Sequence, residues 1–211
     1  MSGYTPARCK SRRSAAPRPA PGRELDHHRF GAELAKREQS GRSGRRPIIG
    51  IMGAGQASSR SLVAARELGT LVAERGWILL TGGRPVGVMA AACAGAKQVR
   101  NSLTLGILPG ADGAGADVDV AVFTAMGDAR NAINVLTSDV VVACGVEGPG
   151  TASEVSLALK VGKPVILLAA AQAARDFFES LHTHGRLIRA DAPIDVVRLI
   201  EADLAIPRWS P

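Results

Sequence analysis

From residue 47 onwards the chain alternates short apolar runs with longer amphipathic segments, and this alternation limits the folds that it can adopt. The first run, Ile48–Met52, is followed by a glycine-rich loop and then by a segment with helical spacing at Leu62, Ala65 and Leu68. The runs are apolar throughout, which is typical of strands buried on both faces of a parallel sheet. Right-handed crossovers between such strands produce a single doubly wound α/β domain with a mostly parallel sheet.

The same pattern predicts where the elements and the domain boundaries lie. Strands are expected at 48–52, 77–80, 103–108, 118–123, 139–143, 164–168 and 187–189. Helices are expected at 59–75, 86–97, 128–136, 150–161, 173–182 and 194–204. The domain is therefore predicted to span residues 47–205, between a leader at 1–46 and a short tail at 206–211.

The positive charge of the chain belongs to the leader. The whole sequence carries a formal charge of +7, from 26 basic and 19 acidic residues. The leader holds 12 of the basic and 4 of the acidic residues, a charge of +8, which leaves −1 for residues 47–211. Its Arg, Ser and Pro content predicts disorder, apart from a short possible helix at 29–39. Three interpretations stay open: a disordered tail or an unused upstream start, a basic arm for nucleic acid, and a transit peptide.

Composition excludes several classes of function. The sequence contains no run of about 18 apolar residues, so we expect no membrane-spanning helix. The three cysteines, Cys9, Cys93 and Cys144, form no CxxC pair, which argues against disulfides or a metal site and favours the reducing cytoplasm. Aromatic residues make up 3% of the chain, too few for a base-stacking platform, so nucleic acid is not the expected partner.

Three glycine-rich loops follow predicted strands, and in a doubly wound sheet such loops meet at the edge where ligands bind. They span residues 50–59, 81–89 and 145–154. Glycine lets the backbone approach a ligand closely, and the N-terminus of the next helix attracts phosphate. None contains the dinucleotide fingerprint GxGxxG or the P-loop pattern GxxxxGKS/T. We expect a small phosphorylated ligand held by Gly53, Gly55, Ser58, Thr81, Gly82, Gly83, Gly87, Met89, Gly148, Gly150 and Thr151.

Charged residues near these loops have both a functional and a structural interpretation. Arg130, followed by Asn131, lies near a predicted helix start, where its planar guanidinium suits a phosphate or carboxylate; the alternative is a surface salt bridge. Glu154 lies three residues after Thr151, which also fits a capping box at a helix N-terminus. Arg84 follows two glycines and is either a ligand contact or an exposed side chain.

Taken together, the motifs resemble one known group of proteins. They are TGG and GVM within 81–89, GILPG at 106–110, Arg-Asn at 130–131, GPGTASE at 148–154 and GKPV at 162–165. The set is similar to that of the LOG-like Rossmann-fold family, long mislabelled as lysine decarboxylases, over roughly residues 47–165. The resemblance implies a Rossmann-like fold and a homo-oligomer, either a dimer or a tetramer.

Two branches of that family imply different functions. The sequence is closer to the branch of molybdenum-cofactor carrier proteins, because Asn131 and the GTASE ending match it. This branch implies a bound phosphorylated pterin that is protected and not converted, with no further cofactor required. Arg130, Asn131 and Glu154 would then join the glycine loops in the ligand site.

The alternative is a cytokinin-activating phosphoribohydrolase, which cleaves the N-glycosidic bond of a nucleoside 5′-monophosphate. In that branch Glu154 would be the catalytic acid/base and Arg130 would orient the nucleotide, while Gly148, Gly150 and Thr151 would hold the phosphate. Two departures apply to both branches. Val146 and Glu147 replace the Pro and Gly of the hydrolase pattern PGGxGTxxE, and a carboxylate at Glu147 disfavours an anionic ligand beside it. Pro85 stiffens the second loop, where relatives have a glycine-rich run. A third hypothesis is a nucleotide-sensing or nucleic-acid-associated module that uses the leader.

Overall fold

The structure, a computed structural model, describes residues 45–113, 115, 117–181 and 185–205. Almost all of the predicted leader, including the possible helix at 29–39, and the tail at 206–211 lie outside the described residues. The last residue of the predicted helix at 173–182 also lies outside them.

Seven strands form one sheet in which every neighbouring pair is parallel, which confirms the predicted fold class. Their order across the sheet is β4-β3-β2-β1-β5-β6-β7. The strands are β1 (Ile48–Met52), β2 (Ile78–Thr81), β3 (Leu103–Leu108), β4 (Val120–Phe123), β5 (Val140–Cys144), β6 (Val165–Leu168) and β7 (Leu187–Ala190).

Six α-helices accompany the sheet in the described part of the chain. They are α1 (Ser59–Glu74), α2 (Gly87–Ala96), α3 (Asn131–Thr137), α4 (Pro149–Lys160), α5 (Gln172–Ser180) and α6 (Pro193–Ala205). The helix predicted at 128–136 differs from the prediction, because a short 3-10 turn, Gly127–Arg130, precedes α3. Gly127, the first residue of this turn, has a φ of +55°, a left-handed conformation that favours glycine.

Helices cover both faces of the central sheet, as the apolar strands predict. Ile49 and Ile51 of β1 point to a cluster formed with α1, α2 and α6, whereas Met52 belongs to a cluster with α3, α4 and α5. All three side chains are buried, and burial of each contributes about 1.5–3 kcal/mol to stability. Two glycines, Gly69 and Gly95, let α1 and α2 pack closely, because a Cβ on either would collide with backbone of the other helix.

The strand order places the candidate site. The order reverses between β1 and β5, and in doubly wound sheets ligands bind at the carboxyl ends of the two strands beside this reversal. The loops after β1 and β5 are neighbours there, since a Cβ added to Gly148 would lie 3.8 Å from the Cβ of Ala54. Within the described residues no helix is both long enough and apolar enough to span a membrane.

Candidate functional site

The N-terminus of α1 is occupied by a carboxylate of the chain itself. Ser58, the N-cap of α1, donates from its backbone N–H to Glu147 Oε2 at 2.8 Å and from its hydroxyl to Oε1 at 2.7 Å. The hydroxyl of Ser61 also donates to Oε1, at 2.9 Å. Burial raises the pKa of Glu147, but these hydrogen bonds outweigh it and hold the pKa below its ordinary value. Ser58, a predicted ligand contact, is therefore engaged by Glu147.

The loop after β1 packs directly against the start of α2. The backbone N–H of Val88 donates to the carbonyl of Ala54 at 3.1 Å, which satisfies one of the free groups at this helix end. A Cβ added to Gly53 would lie 2.5 Å from the Val88 side chain, and one on Gly87 would lie 2.5 Å from the carbonyl oxygen of Gly55. Gly53 and Gly87 are thus required by contacts within the protein at positions where ligand contact was predicted.

Other residues predicted in the second loop also have partners inside the fold. Thr81 is buried, and its hydroxyl accepts a hydrogen bond from the backbone N–H of Gly83 at 3.1 Å. Met89 is a buried member of α2. Gly55 lies beside the second loop, since a Cβ there would be 3.2 Å from a methyl group of Val86. The predicted residues Gly55, Thr81, Gly83 and Met89 therefore have contacts within the fold at this edge of the sheet.

The N-terminus of α4 differs from that of α1, because within the part of the chain that the structure describes no side chain caps it. Its N-cap is Gly148, and a Cβ added to Gly150 would meet no atom within 4 Å. The capping box predicted from Thr151 and Glu154 is wrong: Thr151 lies buried inside the helix, and the Glu154 carboxylate bonds to another helix. The first N–H groups of a helix have no partner within the helix, so this end can accept an anion.

A buried ion pair lies beside α4. Arg130, at the end of the 3-10 turn, has Nη1 3.8 Å from Oε1 of Glu154, and each side chain is 8% exposed. The surface salt bridge predicted as an alternative for Arg130 is therefore wrong. Asn134 of α3 donates from Nδ2 to the same Glu154 oxygen at 2.8 Å. Three polar side chains from the 3-10 turn, α3 and α4 thus converge below the edge of the sheet.

The guanidinium of Arg130 lies against Gly82 in the loop after β2. A Cβ added to Gly82 would lie 2.8 Å from Nη2 and 2.9 Å from Cζ of Arg130. Only glycine therefore leaves the guanidinium in this position. The structure thereby joins two residues that the sequence predicted separately, from a glycine loop and from a charged segment.

Burial shifts the pKa values of both members of this ion pair. Burial lowers the pKa of Arg130, which Glu154 and Asp128 oppose and Arg84 reinforces. Burial raises the pKa of Glu154, and the hydrogen bond from Asn134 and the charge of Arg130 offset only part of this effect. Arg84 is exposed, and its positive charge adds to the lowering of the Arg130 pKa.

Two buried atoms in this cluster have no hydrogen-bond partner among the described residues. They are Nε of Arg130 and Oδ1 of Asn134. Buried polar atoms are satisfied in most native structures, so such atoms mark a place where a ligand or water completes the bonding. Arg130 and Asn134 are 6% and 0% exposed, respectively.

The polar residues around the site differ from the prediction in two ways: a predicted contact, Asn131, bonds within the protein, and a buried residue, Asn134, was not predicted. Asn131 was predicted as a ligand contact, but its amide donates to Ser153 Oγ at 3.1 Å, and Ser153 Oγ donates to the carbonyl of Gly150 at 2.7 Å. Asn134 was not singled out, although it is a polar residue among the apolar side chains of α3. Glu147 was noted as a departure from a family motif, with a carboxylate that disfavours an anionic ligand beside it, but its bonds to the α1 end were not predicted.

The described residues contain no group of three or more side chains suited to a metal ion. Cys93 and Cys144 are both buried and free. Burial raises the pKa of the Cys93 thiol, and it raises that of Cys144 to about 12. Neither thiol is therefore suited to act as a nucleophile or a metal ligand.

With this geometry established, comparisons with known proteins define the class. The chain belongs to the SLOG cluster4 family, whose sequence profile matches residues 46–197. The structure of a molybdenum cofactor binding protein from the phototrophic bacterium Rippkaea orientalis is similar, with 48% identity and a TM-score of 0.73 over 77% of this chain and 100% of that one. The molybdenum cofactor carrier protein of Chlamydomonas reinhardtii is 46% identical, with a TM-score of 0.72 and the same coverage of both chains.

A curated relative extends the comparison to an archaeon. An uncharacterized protein of Archaeoglobus fulgidus is 41% identical over 121 residues, which is 57% of this chain and 78% of the relative. The family membership and the two solved structures confirm the resemblance inferred from the motifs, including its carrier branch.

Proposed function

We propose that the protein binds a phosphorylated pterin of the molybdenum-cofactor type at the edge of the sheet beside α4, and that it holds this ligand without converting it. The observation that carries the proposal is the buried Arg130–Glu154 pair beside a helix end that no side chain caps. The two solved relatives that are described as binding or carrying the molybdenum cofactor support it, because each matches over its full length.

The residues present suit such a ligand. A phosphate group fits the α4 N-terminus, where Gly148, Gly150 and Thr151 supply backbone and Gly150 leaves open space. Arg130 supplies a cation whose Nε has no hydrogen-bond partner among the described residues. Gly82 keeps the guanidinium in place, so its charge is fixed before the ligand arrives.

The environment of Glu154 favours binding over catalysis. A catalytic acid or base must come within hydrogen-bond reach of the atom it protonates or deprotonates. Glu154 is 6% exposed, and its Oε1 already accepts from Asn134 and lies beside Arg130. We infer that Glu154 holds Arg130 in position for the ligand.

A nucleoside 5′-monophosphate phosphoribohydrolase is the second candidate, and one observation favours it. Burial raises the pKa of Glu154, which is the direction that general acid catalysis near neutral pH requires. In this function Glu154 protonates or deprotonates at the ribose, and Arg130 orients the nucleotide.

The binding proposal is tested by what the protein carries when it is produced in a bacterial host that synthesises the molybdenum cofactor. Purified protein should contain molybdenum and show pterin absorbance, and protein from a host unable to make the cofactor should contain neither. Arg130→Ala should strongly reduce both signals, whereas Arg100→Ala, which removes an exposed arginine, should leave them unchanged. Wild-type protein that never contains pterin or molybdenum would contradict the proposal.

The same preparation distinguishes the second candidate. Incubation with AMP should release no adenine if the protein is a binding protein. Adenine release that is lost in Glu154→Gln would instead establish the hydrolase, because the substitution removes only the ionisable group.

We further propose that the protein is cytoplasmic and that its chains associate with one another. The two described cysteines are free, which suits a reducing compartment. All four side chains of β4, at one edge of the sheet, are exposed, and they are apolar. Light scattering after size-exclusion chromatography should give a mass of at least two chains, and cell fractionation should recover the protein with cytoplasmic markers.

A further inference from the structure

We propose that Glu147 is a specificity-determining residue that keeps a second phosphate group away from the site. The inference rests on the proposed binding of a phosphorylated ligand. Glu147 places a permanent negative charge on the N-terminus of α1, so the site accepts a ligand with one phosphate at α4 and rejects one that extends a pyrophosphate towards α1.

The position that Glu147 occupies is the reason for this assignment. In doubly wound proteins the pyrophosphate of a dinucleotide binds at the N-terminus of the helix that follows the first strand. Here that helix is α1, and the backbone N–H and hydroxyl of its N-cap, Ser58, together with the hydroxyl of Ser61, donate to the oxygens of Glu147 at 2.7–2.9 Å. The carboxylate thus takes the place of an anionic ligand.

The loop after β5 is shaped so that Glu147 can reach α1. Gly145 has a φ of +63°, which turns the chain back after the strand. A Cβ at Gly145 would collide with the hydroxyl of Ser61 and lie 3.1 Å from Oε1 of Glu147. The contact is therefore built by the backbone of the β5 loop and by two serines of the α1 end, Ser58 and Ser61.

The loop after β1 lies on α2, where Val88 donates to Ala54 and a Cβ on Gly53 would touch Val88. The glycines that give a dinucleotide-binding turn its space are here used for contacts within the protein. The barrier to a dinucleotide is therefore assigned to the Glu147 carboxylate, because these loop contacts involve α2 and not the N-terminus of α1.

The charge of Glu147 distinguishes the N-terminus of α1 from the N-terminus of α4. The Glu147 hydrogen bonds hold its pKa below the ordinary value, so the carboxylate is charged at neutral pH and repels a phosphate near Ser58. At α4, Gly150 has open space and Arg130 lies in the same cluster as Glu154 of this helix. Negative charge on a ligand is thus attracted to α4 and repelled from α1.

The test compares ligands that differ by one phosphate. AMP, ADP and inorganic pyrophosphate are titrated by calorimetry into the full-length protein and into Glu147→Ala and Glu147→Gln, at pH 7.5 and constant ionic strength. Both variants should bind ADP and pyrophosphate about fivefold or more tightly than the wild type, the size expected when an anion gains a helix N-terminus. Their affinity for AMP should change less than their affinity for ADP and pyrophosphate, because the Glu147 carboxylate is bonded to Ser58 and Ser61 at the α1 end, although residue 147 itself directly precedes Gly148, the N-cap of α4.

Glu67→Gln is the matched control, since it removes one negative charge from an exposed position on α1 but not from the helix end. It should leave all three affinities unchanged. Melting temperatures establish that each variant is folded, and Glu147→Gln, which preserves the shape of the side chain, serves if Glu147→Ala does not fold.

The outcomes separate this inference from the proposed function. Unchanged ADP and pyrophosphate affinities in both Glu147 variants would overturn the role of Glu147, even if the wild-type protein carries pterin. A gain of pyrophosphate binding in the variants, with no pterin or molybdenum in the wild type, would support Glu147 as the barrier while contradicting the proposed ligand.

Discussion

Asn134 donates a hydrogen bond from its side-chain amide to Glu154 at 2.8 Å, and this bond joins α3 to α4 in the interior of the protein. Both residues are buried, at 0% and 6% exposure. A bond to a buried carboxylate costs more to lose than a surface bond, because the remaining partner cannot turn to water.

Asn134→Ala is expected to destabilise the fold by about 1–3 kcal/mol, the cost of leaving a buried polar partner without its bond. Equilibrium urea unfolding at pH 8 measures the change. Ser156→Ala is the control, since it removes an exposed hydroxyl from α4 and should cost little. Equal losses in the two variants would contradict a structural role for the Asn134–Glu154 bond.

The raised pKa of Glu154 makes stability depend on pH. Because the folded protein holds the Glu154 proton more tightly than the unfolded chain, the stability that this provides is present at low pH and is lost as the pH rises through the pKa of the folded state. Glu154→Gln cannot ionise and should lack this loss. The difference in unfolding free energy between variant and wild type should therefore shift in favour of the variant between pH 4.5 and pH 8.

Urea unfolding of both proteins at a series of pH values provides the measurement. A difference that stays constant across this range would show that the pKa of Glu154 is the same in the folded and unfolded chains. Glu67→Gln removes an exposed carboxylate whose loss should not produce this shift.

The buried thiols should be inert in the native protein. Burial raises the pKa of Cys144 to about 12, and it also raises that of Cys93, so the reactive thiolate is scarce at pH 8. With Cys9 replaced by serine, a thiol reagent such as dithionitrobenzoate should label no cysteine in buffer and two in denaturant. Rapid labelling of the native protein would mean that α2 or β5 opens readily.

The sequence was sufficient to predict the sheet. Its central strands are buried on both faces, so each had to be an apolar run, and the predicted bounds of β1 and β3 are those observed. The prediction for β4 was two residues too long at its start. Asp119 bonds through its side chain to the backbone N–H of Thr104 at 2.8 Å, and the strand begins only at Val120.

The site was only partly predictable, and the reason is its long-range contacts. Arg130 and Glu154 could be found from local signals. Arg130 is a charged residue near a predicted helix start, and Glu154 ends a family motif. The bond from Ser58 to Glu147 joins residues 89 positions apart, and only the strand order, which places β1 beside β5, brings them together. No local pattern could show that a carboxylate fills the helix end at which a ligand was expected.

The guanidinium of Arg130 lies directly against Gly82. Gly82→Ala should displace the guanidinium, because the new methyl group would lie within 3 Å of Cζ and Nη2. Gly82 does not have a positive φ, so alanine is compatible with its backbone, and the loss should fall on ligand binding more than on folding. A displaced arginine should reduce binding of the molybdenum cofactor about tenfold, comparable to the loss of a hydrogen bond to a charged group.

A double-mutant cycle shows whether this effect passes through Arg130. Gly82→Ala should weaken binding in the wild-type protein but have no further effect in Arg130→Ala, because the side chain that it displaces is already absent. Cofactor content per chain, measured as molybdenum and pterin, gives the four values of the cycle. Additive losses in the two single variants would mean that Gly82 contacts the ligand directly, which would assign the loop after β2 to the binding surface itself.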